Sequence, residues 1–169
     1  MKSTGILFLL IWCLLAVSCT SKDKREASNL ARRATEMSAA LTTAGKPFAD
    51  EINKWLAGEK ADIPAMKKAL EAIEPLPGKF HEEFQLMPYS KEQYAVTAYR
   101  TSVLDYLESQ QKLAAMLKAV AEKASLSNPA DEPTRKQVSE QFRGFEGAQQ
   151  KTLNDIRIKA ERLQSYLQE

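Results

Sequence analysis

VTAYRTSVLDYLESQQKLAAMLKAV (residues 96–120) and VSEQFRGFEGAQQKTLNDIRIKAERLQSYL (residues 138–167) decide the fold. In the first, Val96, Tyr99, Val103, Tyr106, Gln110, Leu113, Leu117 and Val120 recur at steps of three and four. That spacing puts them on one stripe of a helix. In the second, Val138, Phe142, Phe145, Gln149, Leu153, Ile156, Ala160, Leu163 and Leu167 do the same. Each seam is broken by one glutamine. In an antiparallel hairpin, facing residues have numbers that add to a near-constant sum, and the two seams meet that test. Val103 falls opposite Ile156, Tyr106 opposite Leu153, Leu117 opposite Phe142, and Gln110 opposite Gln149. The turn centre is then near Pro129, inside the turn-forming stretch 125–133.

The seams therefore predict a long C-terminal hairpin of residues 90–124 and 131–168. Ser90 and Gln93 are spaced as a capping box at the first start, and Asp131 or Thr134 opens the second helix. Between the seams, Gln110 and Gln149 are expected to form a buried polar pair. A hydrogen bond between their amides would fix the register, because any slip would strand buried amides at about 1–3 kcal/mol each. The alternative is a ligand held by the same amides in a gap of the bundle.

Upstream, Ala27, Leu30, Ala34, Met37, Leu41, Ala44, Phe48, Ile52 and Trp55 make another helical stripe. Gly45 and Pro47 interrupt it and predict a kink or break, since an interior proline removes a backbone hydrogen bond and crowds the preceding turn. Gly58 closes the segment. Asp62 suits an N-cap for a short helix with Pro64 in its first turn and Met66, Leu70 and Ile73 on its inner side. Pro75 and Pro77-Gly78 are expected to end it, and Phe80, Phe84 and Met87 space a further short helical piece. The expectation is an all-α, elongated antiparallel helical bundle built on the C-terminal hairpin, with the N-terminal helix alongside and the short helices capping one end.

Composition agrees with a globular helical domain. The chain has 169 residues, is 44% hydrophobic and 27% charged, and its six Gly and seven Pro leave little room for a turn-rich β fold. With 24 Lys plus Arg against 22 Asp plus Glu, no global field favours nucleic acid. None is expected as a partner.

The first residues have another character. Lys2 precedes GILFLLIWCLLAV (residues 5–17), an uncharged run that reads as a signal peptide. It falls short of the about 20 apolar residues that span a bilayer. Leu15-Ala16-Val17-Ser18-Cys19 resembles the lipobox of bacterial lipoproteins, with Ala16 where the pattern prefers Leu. The resemblance implies cleavage before Cys19, acylation of its thiol, and a lipid bilayer as partner. Cys13 leaves with the leader, so Cys19 would be the only cysteine and could form no internal disulfide. Acylation gives that thiol a physical role, each buried methylene contributing about 0.8 kcal/mol. By the same resemblance, Thr20 after the cysteine implies outer-membrane sorting, facing the periplasm, in a Gram-negative host. This divides the chain into a signal peptide (1–18), a lipidated Cys19 with a polar tether (19–26) and a helical bundle domain (27–169). Lys22, Lys24, Arg25, Arg32 and Arg33 could touch anionic headgroups, although Asp23, Glu26 and Glu36 among them favour a solvated helix face.

Catalytic chemistry is not legible. His81 is the only histidine and lacks the second one that a zinc-binding HExxH helix needs. No phosphate loop, haem-attachment motif or nucleophile elbow is present, and no cofactor or metal is implied. The nearest candidate for a titratable cluster is His81-Glu82-Glu83. Gly144 and Gly147 flank Phe145 inside the last helix, where each costs about 1 kcal/mol relative to Ala. Close approach of a neighbouring helix is the expected compensation. The sequence thus reads as a non-enzymatic binding or structural module of the cell envelope, meeting a protein partner, with a small-molecule pocket near Gln110 and Gln149 as the alternative.

Overall fold

A computed structural model describes residues 22–169. Five helices account for almost all of them: α1 (Lys22–Leu56), α2 (Ile63–Ile73), α3 (Leu76–Leu86), α4 (Tyr94–Leu126) and α5 (Glu132–Gln168), with no strand among the described residues. None of these helices is long and apolar enough to cross a membrane.

The helices form four antiparallel columns. α1 runs from a first end, near Lys22, to a second end, near Trp55. α2 and α3 return as one interrupted column, α4 runs forward beside α1, and α5 returns. Two buried clusters fix this arrangement. Ala27, Leu30, Met37, Phe80, Phe84, Val96, Tyr99 and Leu163 meet in the first half, and Phe48, Trp55, Met66, Leu70, Leu117, Val120 and Val138 meet in the second.

The short helices thus line the long ones rather than cap one end. Pro75 and Pro77 explain the difference. They do end α2, but a proline in a first turn gives up an N–H that has no partner there anyway, so α3 starts through them at Leu76. The second column therefore continues past the prolines, burying Met66, Ala69, Leu70 and Ile73 in one half and Phe80 and Phe84 in the other.

The α1 stripe falls as its periodicity requires, with Ala27, Leu30, Met37, Leu41, Phe48, Ile52 and Trp55 all buried. The helix is unbroken at Pro47, because Leu41 on one side and Phe48, Ile52 and Trp55 on the other are held by the core. Residues 22–26, expected as tether, belong to α1. Asp23 lies in the first turn, where a carboxylate suits the helix dipole, and Lys22 pairs with Glu26 at 3.7 Å.

Local signals set most helix ends. α1 closes in a Schellman turn: Gly58, at φ 82°, donates to the Trp55 carbonyl at 3.1 Å and Glu59 to that of Lys54 at 2.9 Å. A methyl at Gly58 would meet only the tip of the flexible Arg135 side chain, which can move aside, so it is the left-handed backbone that requires glycine there. Asp62 caps α2 by accepting from the Ala65 N–H at 3.0 Å, and Asp131 caps α5 by accepting from that of Thr134 at 2.8 Å. The expected capping box of Ser90 and Gln93 does not form. α4 begins only at Tyr94, Gln93 makes no side-chain cap, and the Thr97 hydroxyl donates instead to the Lys91 carbonyl at 3.4 Å.

Candidate functional site

Hairpin pairing is present but looser than the seams imply. Leu113, Leu117 and Val120 share one cluster with Val138 and Phe142, and Val103 and Tyr106 share the other with Ile156 and Ala160. On α5, however, only Val138 and Leu163 are buried, and Leu153 and Ile158 stand 42% and 38% exposed. α4 buries a second stripe, Leu107, Ala114 and Ala121, beyond its seam. It is the central column, touched by α2 and α3 as well as by α1 and α5.

Between the two clusters lies a waist. Gln110 belongs to neither cluster, and on α5 the stretch 143–155 contributes to neither. Gln110 is 7% exposed and its Nε2 has no hydrogen-bond partner. Gln149 is half-buried and faces a shallow depression with Arg143, Glu146 and Gln150 of its own helix. The expected Gln110–Gln149 bond is not made. The physical reason is that α5 is buried so little here that water can serve the Gln149 amide, which leaves it no drive to pair.

Gly144 and Gly147 lie in the same stretch, and a Cβ added at either would meet nothing within 4 Å. Close helix approach therefore does not account for them. Gly144→Ala and Gly147→Ala are each expected to stabilise the domain by up to about 1 kcal/mol, measured by urea denaturation. Destabilisation by either would mean that the open space is occupied in solution.

Beside the waist, α1, α4 and α5 enclose an open groove of about 520 Å³. α1 supplies the small side chains Ala34, Ser38 and Thr42, α4 supplies Tyr99, Val103 and Tyr106, and α5 overhangs with Leu153 and Ile156. The α1 wall is less polar than its composition suggests. Thr35, Thr42 and Thr43 donate their hydroxyls to the carbonyls of Ala31, Ser38 and Ala39 at 2.9–3.0 Å, so their hydrogen-bonding demand is met within the helix. Burial pushes the Tyr99 and Tyr106 hydroxyls above the usual phenol range, with Ser38 acting against the shift at Tyr106. No charged side chain lines the groove. Its volume lies within the range of ligand sites, about 300–1,000 Å³, but neither Gln110 nor Gln149 contributes to it. The sequence signal for this groove is the run of small residues four apart, Ala34, Ser38 and Thr42, beside the buried stripe of α1.

The His81-Glu82-Glu83 string does not form a reactive cluster. His81 is half-buried, and Glu83 is taken by Arg33, which donates to its two carboxylate oxygens at 2.6 and 2.7 Å. The guanidinium holds the Glu83 carboxyl below the usual carboxylate range and is itself held charged. The contribution of this pair is therefore complete at neutral pH and is lost as pH falls through the depressed Glu83 value. It remains a small contribution, because Glu83 is 39% exposed. Arg32 and Arg33 also pair with Glu36, which removes both from the basic cluster considered for headgroups. Among the described residues, no group of histidine, cysteine or carboxylate side chains could hold a metal ion.

Cys19, the expected lipidation site, lies outside the described residues, three positions before Lys22. No protein-family model, curated protein sequence or solved structure matches the chain.

Proposed function

We propose that the protein is a bacterial envelope lipoprotein, held on its membrane by acylated Cys19, whose helical bundle serves as a binding or structural module rather than a catalyst. The carrying observation is the leader itself: an apolar run too short to span, small residues, and then the only cysteine the mature chain would keep. Thr20 favours the outer membrane of a Gram-negative host, with the bundle in the periplasm. The open, uncharged groove and the half-exposed Leu153 and Ile158 on α5 support contact with a protein partner. A small-molecule site is the weaker reading, because the groove lacks the converging polar groups that orient a ligand.

Radiolabelled palmitate fed to expressing cells is expected to enter the wild-type chain and to be lost entirely in Cys19→Ser. The mass of the purified protein should correspond to residues 19–169 plus the lipid. A native polypeptide that still begins at Met1, or that carries a free thiol at position 19, overturns the anchor.

A further inference from the structure

The first end of the bundle gathers three pieces of chain. α1 starts there, α5 finishes there, and residues 87–93 cross it between α3 and α4. Lys24 sits 5.8 Å over the Tyr166 ring, tying α1 to α5. Arg100 donates to the Gln85 carbonyl at 2.6 Å and stacks 4.4 Å from the Tyr89 ring, tying α4 to the crossing segment.

On this end two large apolar side chains point away from the core. Leu86, the last residue of α3, is 85% exposed, and Tyr94, the first of α4, is 73% exposed, although Phe84 and Val96 beside them are fully buried. One exposed leucine is ordinary on any protein. Here the position relative to Cys19 gives the pair its meaning. Only Thr20 and Ser21 separate that cysteine from Lys22, and a chain advances at most about 3.3–3.6 Å per residue. Three steps cover roughly 11 Å, so a lipid on Cys19 would hold the start of α1 at the headgroup layer.

We propose that this end is a membrane-apposed face on which Leu86 and Tyr94 enter the bilayer interface beside the acyl chains. The inference rests on the anchor reading. Tyrosine, with an apolar ring and a polar tip, suits the headgroup level, and leucine gains by leaving water. Charge is not the driver. Lys22, Lys24, Arg25 and Lys91 are offset on the same end by Asp23, Glu26, Glu92 and Glu169. The occupant that this face fits is a bilayer interface of either headgroup charge.

The lipidated full-length product allows a direct test, because with Cys13 cleaved and Cys19 acylated it has no thiol to label. Leu86→Cys, Tyr94→Cys and Leu126→Cys would each carry one fluorophore in phosphatidylcholine vesicles containing headgroup-nitroxide lipid. Leu126 is the matched control, 90% exposed at the opposite end. Severalfold stronger quenching at 86 and 94 than at 126, kept at high salt, supports the inference. Equal quenching at all three positions in a vesicle-bound, unlabelled parent overturns it while leaving the anchor intact. A parent that stays off vesicles and takes up maleimide at Cys19 overturns the anchor, and this face with it.

Discussion

Trp55→Ala is expected to lower unfolding free energy by about 3–5 kcal/mol, the largest loss we anticipate from any single side chain. Trp55 is 0% exposed and sits in the second-half cluster with Phe48, Met66 and Val138, so truncation removes the most apolar area and leaves the largest void. Its ring also closes the α4–α5 connection, since Nε1 donates to the Ser127 carbonyl at 2.8 Å. Asn128 adds a reciprocal pair, its amide donating to the Ala61 carbonyl at 2.8 Å and accepting from the Ala61 N–H at 3.0 Å. Trp55→Phe should separate the two contributions. It keeps most of the packing and loses the hydrogen bond, at about 1 kcal/mol from the bond alone. Urea denaturation of the Cys19→Ser form, which avoids the acyl chain, reads both. A loss below about 1 kcal/mol for Trp55→Ala would mean that the second-half core is not packed around this ring.

Gln110→Leu works in the opposite direction, with a gain of about 1–3 kcal/mol expected. The Nε2 of Gln110 is buried without a partner, and a leucine of similar size removes that desolvation cost while filling the gap between the two clusters. The sign is the informative part. Were Gln110 and Gln149 bonded to each other, the same substitution would strand the Gln149 amide and destabilise the domain. Because Gln149 is half-buried and can be served by water, Gln149→Leu should change little by comparison. A loss at Gln110→Leu, seen as a lower urea midpoint, would restore the pair.

Apart from the Ser90–Gln93 capping box, signals confined to one helix are legible in the sequence. The α1 stripe, the Asp62 and Asp131 caps and the Gly58 terminator each depend on a few neighbouring residues, and all hold. What escaped were distances between helices. Periodicity tells which face of α5 is apolar but not how near α4 and α1 come, so seam residues Leu153 and Gln149 read as core and proved half-open. Pro75 and Pro77 carry the same ambiguity in another form, since a proline that ends one helix equally suits the first turn of the next. The groove follows from the first of these effects: Ala34, Ser38 and Thr42 are visible in the sequence, but the space they leave depends on the approach of α5.

Three of the helices extend nearly the whole length of the molecule, and at about 1.5 Å per residue a helix of α1's 35 residues measures roughly 50 Å. The protein is in effect a strut. Any body gripping the loop around Leu126 is kept about that far from whatever holds Lys22, and shortening the three long columns by equal whole turns would draw the two closer in increments of roughly 5.4 Å.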